Sequence, residues 1–256
     1  MADIKYLLKF GKREHLENLV SGNIYCSNAI TFWGIEDKLK IKGQGDILEA
    51  GTRMFAQKMI MQHPETKEVI VKCGKANGLV RIEPAEKMPV FCMFAVYEDD
   101  CKVDITGASI INLSDDKKQT IREHFPNADA VVVIPNPEEF IEDVKRSIGT
   151  EIKAEKVNYF HIDKGYETTD GEIAMDMDYM KYLMQDASPE KVDGGIRYTF
   201  YADYAFRVLF CKDVFFEQEQ EYRIVLPNET IEAGKSYPVQ LSKAYKIIDL
   251  HTFFDN

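Results

Sequence analysis

No run of 18 consecutive apolar residues occurs anywhere in the 256-residue chain, so the sequence predicts no membrane-spanning helix. The opening stretch MADIKYLLKFGKREHLENLV begins with an acid and carries charges inside its apolar part, which does not read as a secretory signal peptide. The five cysteines (Cys26, Cys73, Cys92, Cys101 and Cys211) form no CxxC pair and no metal-ligand spacing. A zinc site is therefore not expected, and the cysteines are expected as reduced thiols of a cytoplasmic protein. Neither HExxH nor another metal spacing occurs among His15, His63, His124, His161 and His251, which read as surface or structural residues. A serine nucleophile elbow and a phosphate-binding glycine loop are also lacking. Basic residues are the minority, 32 against 43 acids, for a net charge of -11. A surface of that sign repels phosphate backbones and argues against non-specific nucleic-acid binding. It leaves room for a small anionic ligand held by a few convergent donors.

What is present is ordinary globular material, 45% hydrophobic, which is enough to build a core. DIKYLLKF reads as a strand, KREHLENLVSG as a helix stopped by Gly22, and NIYCSNAITFW as a second strand. A turn containing GQGD leads into an expected helix over DILEAGTRMFAQKMIMQ, with Asp46 as its N-cap. Asp46 and Glu49 would bind a cation only with help from elsewhere. Short strands follow at KEVIVKC, GLVRIE and PVFCMFAV, then a surface helix over 114–125 and a buried strand at DAVVVI. PNPEEFIEDVKRSIG carries a capping Asn136, a first-turn Pro137 and a terminating Gly149. EIKAEKVNYF alternates as a strand. Residues 163–195 are polar and poorly patterned, a candidate mobile insertion with a short helix near MDMDYMKYLMQ. Strands are expected again at YAFRVLF, QEYRIVL, YPVQL and KAYKIIDL. The economical reading is one α+β domain, with mixed, mostly antiparallel sheets and helices packed on them.

The stretch FFEQEQEYRIVL carries the main chemical question. If 219–226 is a strand, Glu219, Glu221 and Arg223 share one face while Tyr222, Ile224 and Leu226 share the other. Carboxylates two residues apart then lie about 6.5–7 Å apart, and such a pair can stabilise an oxocarbenium-like centre and orient a nucleophile. Arg223 could position a carboxylate or contact a phosphate. On spacing alone, the ordinary reading is a solvated strand edge with a modest ion pair. Phe32 and Trp33 read as core or pocket wall, or as an aromatic shelf for a ring such as nicotinamide. A separate set, Asp129 with Glu151 and Lys153, loosely imitates the acid and E-x-K of a Mg²⁺-dependent nuclease and requires those residues to converge.

KYLLKFGKREHLENLVSGNIYCSNAITFW, GQGDILEAG, PVFCMFAV and FCKDVFFEQEQEYRIVL together resemble a loosely defined group of uncharacterised bacterial and phage proteins. The first and last pieces also resemble the two signature ends of the ADP-ribosyltransferase superfamily. The resemblance implies an ADP-ribosyltransferase-like fold with NAD as substrate. It also implies a toxin-like or phage-conflict role. On the matching positions, Glu221 would engage the nicotinamide ribose and Glu219 would be the preceding member of the E-x-E pair. Lys9 would stand at the early basic position, Tyr25 or Ser27 at the following one. EQEQE contains a second E-x-E triplet at 217–219; the 219–221 register is the one followed by the apolar strand. Lys9 stands where the superfamily has Arg or His and cannot make the same planar contacts. The alternative to an enzyme is a module binding a protein partner or a nucleotide on a similar scaffold. A concave pocket lined by Tyr25, Phe32 and Lys9 would favour the enzyme.

Overall fold

The structure is a computed structural model that describes residues 4–39, 45–56, 59–192, 195–197, 199 and 201–255. Its centre is a six-stranded antiparallel sheet. We label its strands in chain order: β1 (Ile4–Gly11), β2 (Val90–Tyr97), β3 (Ala130–Ile134), β4 (Lys153–Lys156), β5 (Glu221–Val225) and β6 (Ile247–Asp249). Their order in space is β4-β5-β2-β1-β3-β6. Continuous apolar runs occupy the middle of the sheet because both faces there are covered. In β1, Leu7 and Leu8 point to opposite faces and both are fully buried.

On one face, Leu7, Phe91 and Val132 pack with Leu16 and Leu19 of helix α1 (Arg13–Val20). We number five further helices after it: α2 (Ala29–Leu39), α3 (Asp115–His124), α4 (Pro137–Ile148), α5 (Met177–Leu183) and α6 (Leu250–Asp255). Phe140 and Val144 of α4, one turn apart, join that same core. Each such side chain contributes about 1.5–3 kcal/mol by leaving water. On the other face, Leu8, Phe10, Phe94 and Val131 meet Ile121 of α3 and Leu250 and Phe254 of α6. A third cluster joins Leu48, Tyr179, Phe206, Val208, Leu209, Phe210, Val90 and Val225.

Helix boundaries follow the local chemistry where a cap exists. Asn136 accepts from the Glu139 amide at 3.3 Å, and Gly149 closes α4 in the left-handed region at φ 71°. The Ser114 hydroxyl accepts from the Lys117 amide at the start of α3. Asp176 does the same for α5, inside the segment expected as a mobile insertion; Tyr179 and Leu183 of that helix are buried. Gly43 and Gln44 of the GQGD turn, together with residues 193–194, lie outside the described residues.

Four expected elements differ. EIKAEKVNYF is not one strand: it divides into Lys153–Lys156 of the central sheet and Asn158–Phe160, which pairs in parallel with Cys211–Asp213. The strand expected over NIYCSNAITFW spans only Asn23–Cys26, paired with Lys235–Pro238, and Phe32 and Trp33 belong to α2. The buried Asn28 side chain diverts the chain by accepting from both Thr31 N and Thr31 Oγ1. The helix expected over 46–62 is replaced by the strands Gly51–Ala56 and Met59–Gln62. Ala50 takes φ 54°, which stops a helix, and partners at Val69–Cys73 and Ala76–Arg81 supply a ladder. YAFRVLF is helical, a tight 3₁₀ segment spanning Ala202–Phe210. A short, mostly apolar run fits either conformation, and the third core takes it as a helix.

Candidate functional site

The strand β5 has neighbours on both sides, β4 and β2, and every one of its five residues is buried. The solvated-edge reading of FFEQEQEYRIVL is thereby corrected. Strand geometry begins at Glu221, not Glu219. Val214–Glu219 forms a tight helical turn, and Gln220 follows at φ 41° in the left-handed region. Gln220 is held there by β2: the Ala95 amide donates to its carbonyl at 2.8 Å, and its own Nε2 donates to Ala95 O and Asp100 Oδ2. The kink still leaves Glu219, Glu221 and Arg223 on one wall of a half-open cleft of about 640 Å³, counted out to its mouth. Opposite walls come from Lys9 and Phe10 of β1, Phe32 of α2, and Gly45, Asp46 and Glu49. Gly45 sits so close to α2 that an added Cβ would lie 2.3 Å from the Glu36 nitrogen. A larger residue there would force the cleft wall apart.

Arg223, 1% exposed, is the organising cation. Its Nε and Nη2 donate to the two Glu221 oxygens at 2.9 and 3.0 Å. Nη1 and Nη2 donate to the two Glu49 oxygens at 2.6 and 2.9 Å, and Nη1 also reaches Leu209 O. All five guanidinium N–H donors are used, so Arg223 positions carboxylates and has no donor left for a phosphate. Lys212 bridges the neighbouring pair, with Nζ 2.6 Å from Glu219 Oε2 and 3.2 Å from Glu221 Oε2, and sits over the Phe216 ring. His124 closes the network from α3: its Nδ1 lies 2.7 Å from Glu219 Oε1 and its ring stacks on Phe215.

Burial opposes ionisation of Glu221, but Arg223 and Lys212 outweigh it and hold the carboxyl well below the usual range. Asp46 goes the other way. Burial, reinforced by Glu49, pushes its carboxyl up to about 7, against smaller opposing pulls from Lys212 and Arg223. Its Oδ1 accepts from the Leu48 amide. The cleft therefore holds carboxyls with opposite protonation tendencies, together with Lys9, whose Nζ donates to Cys92 O at 2.6 Å over the Phe91 ring. That pairing of a fixed anion with a group titrating near neutrality is suited to acid–base work beside a developing cation. Among the described residues no cluster of His, Cys, Asp and Glu is arranged to hold a metal ion.

Of the residues singled out from sequence, Lys9, Phe32, Glu219, Glu221 and Arg223 line this cleft. Tyr25 and Ser27 do not. Tyr25 is 60% exposed on the strand paired with Lys235–Pro238, and Ser27 forms an isolated backbone bridge with Val90. Asp129, Glu151 and Lys153 do not converge. Glu151 pairs with Lys153 beside β4, while Asp129 precedes β3 and accepts from the Arg13 amide. Three strands lie between β4 and β3, so about four spacings of 4.8 Å, or roughly 19 Å, separate them. Lys212, Glu49 and His124 were missed as members of this network. A lone lysine in VLFCKDVFF was the available signal for the first. Glu49 was marked only as an acid that needs a partner from elsewhere, and nothing local marked His124, because they join Arg223 and Glu219 across 174 and 95 positions.

Among the described residues no helix is long and apolar enough to cross a membrane. Comparison with protein-family models, with curated proteins and with solved structures finds no match.

Proposed function

We propose that the cleft binds NAD and that the protein is an ADP-ribosyltransferase-like enzyme. The observation that carries this reading is the ionised Glu221 set beside Glu219 in a half-open, aromatic-rimmed cleft. The nicotinamide ring of NAD is cationic and flat, and suits a wall of Phe10, Phe32, Phe94 and Phe125 near the Glu219 and Glu221 carboxylates. As the bond from ribose C1′ to the ring nitrogen breaks, its electron pair leaves with neutral nicotinamide and positive charge grows on the ribose. Glu221 stabilises that charge, and Glu219 orients the incoming nucleophile. Lys9 meets the ribose or a phosphate at the mouth. The bacterial and phage resemblance points the biological role toward toxin-like activity or host–phage conflict.

The test is incubation of pure protein with NAD, following nicotinamide release and modification of candidate acceptors. Glu221→Gln keeps shape and removes charge; loss of such an electrostatic group costs about 10²–10³ in turnover. Thermal melting of the variant confirms that it stays folded. Absence of turnover by the wild type, or full activity of a folded Glu221→Gln, sinks the assignment.

One observation favours a second reading, a nucleotide-binding module without turnover. Both Glu221 oxygens are already bonded to Arg223, and one also to Lys212, so the carboxylate is satisfied before any ligand arrives. Calorimetric NAD binding with no nicotinamide release would select this reading.

A further inference from the structure

Residues 51–56 and 59–81 form two short antiparallel ribbons in tandem, Gly51–Ala56 with Ala76–Arg81 and Met59–Gln62 with Val69–Cys73. Their base is fastened to the rest of the molecule. Arg53 pairs with Asp163 at 2.7 Å, Arg81 stacks over Trp33, and the Ile82 amide donates to Ala50 O. Lys75 adds an ion pair with Glu172 at 3.3 Å where the two ribbons meet, and beyond that point the ribbon is exposed. Every residue from Ile60 to Lys72 is exposed. Among the described residues, eight of the eighteen exposed large hydrophobics lie here: Met54, Ile60, Met61, Val69, Ile70, Val71, Leu79 and Val80. A lone two-stranded ribbon is marginal in water, and apolar side chains at this density mark a contact surface.

Charge says which partner fits. Residues 51–82 carry six basic residues (Arg53, Lys58, Lys67, Lys72, Lys75, Arg81) against two acids (Glu65, Glu68), a net +4. The whole chain is -11, so the remaining residues carry -15. A basic, apolar arm is thus attached to a strongly acidic body, and the body of a second copy is its electrostatic complement. Arm-to-arm pairing at the open strand edges would bring like charges together.

We infer that the 51–81 ribbon is a self-association arm that docks on the acidic body of a second copy. Reciprocal exchange of two arms closes the contact as a symmetric dimer. The contact also offsets the mutual repulsion of two bodies of like charge. This inference is independent of the chemistry assigned to the cleft.

Sedimentation velocity of the full chain from about 1 to 100 μM tests it, at roughly 0.05 M and 0.5 M salt, where screening lengths differ about threefold. The expected result is concentration-dependent association at low salt that weakens at least tenfold at high salt. Ile70→Ser, and separately Lys67→Glu with Lys72→Glu, should each weaken it at least tenfold. All three positions are exposed, and an unchanged melting temperature verifies the fold. A wild type that stays monomeric across this range overturns the inference, as does association that ignores both variants. Capture of a labelled single-stranded oligonucleotide by a monomeric protein, lost in Lys67→Glu with Lys72→Glu, would assign the arm to nucleic acid instead and equally overturn it.

Discussion

Replacing Arg223 by methionine is the most direct perturbation of this molecule, because one side chain holds two buried carboxylates. Arg223 and Glu49 are each 1% exposed, and Glu221 is 7% exposed. Methionine keeps much of the aliphatic volume and removes all five donated bonds. The two carboxylates then lie buried with only Lys212, 3.2 Å from Glu221, as nearby compensation. Removing one partner of a buried ion pair costs about 3–5 kcal/mol, mostly through the charge left behind. For a chain of this size each kcal/mol lowers Tm by about 2–4 °C, so the expected fall is roughly 6–20 °C. Urea unfolding followed by circular dichroism at pH 7 measures it. Glu49→Gln added to Arg223→Met should cost less than the sum of the two single changes, with a coupling of about 0.5–3 kcal/mol. Replacing Glu49 and Glu221 by leucine together with Arg223→Met should recover most of the stability, since apolar substitutes can match a buried ionic set. A loss under about 1 kcal/mol for Arg223→Met, or strict additivity with Glu49→Gln, would refute the network as an energetic unit.

Asp46→Asn reads the pH behaviour of the cleft. With its carboxyl raised to about 7 from an ordinary 3.8, native Asp46 holds a proton that the unfolded chain has released. Its contribution is complete below about pH 4 and is lost as pH rises through about 7, a change on the order of a few kcal/mol. Asparagine stays neutral, so the variant should gain stability relative to wild type from about pH 4 to 7 and then level off. A pH-independent difference in urea midpoints would remove Asp46 from this role. At the far end of the chemistry, Asn136→Ala should cost about 1 kcal/mol by removing the α4 cap, visible as a lower urea midpoint with unchanged slope.

Much of the fold was legible because its signals are local. The Asn136, Pro137 and Gly149 boundaries of α4 and the Ser114 start of α3 are satisfied by bonds within a few residues, and the β-branched run of β3 is a local signal even though its ladder partners, β1 and β6, are more than a hundred residues away. Where that locality fails, the reading fails with it. The 46–62 segment has helix-forming residues, but Ala50 turns left-handed and strands further along the chain, at Val69–Cys73 and Ala76–Arg81, provide the ladder. The run at 202–210 was apolar enough for strand or helix, and the surface it covers made the choice.

The site divides the same way. Period-two alternation by itself put Glu221 and Arg223 on one face of β5, because side chains along a strand have no other option. Glu219 reached the same wall by a different route, through the left-handed Gln220 that β2 holds in place. Only the tertiary structure decided that this face is buried, since exposure depends on what packs above a strand and not on the strand. It also supplied Lys212 as a second cation and Glu49 as a second carboxylate for Arg223, and left Tyr25 outside. Opposite charges must find each other through space when water is excluded, and a chain read in order carries no measure of that distance.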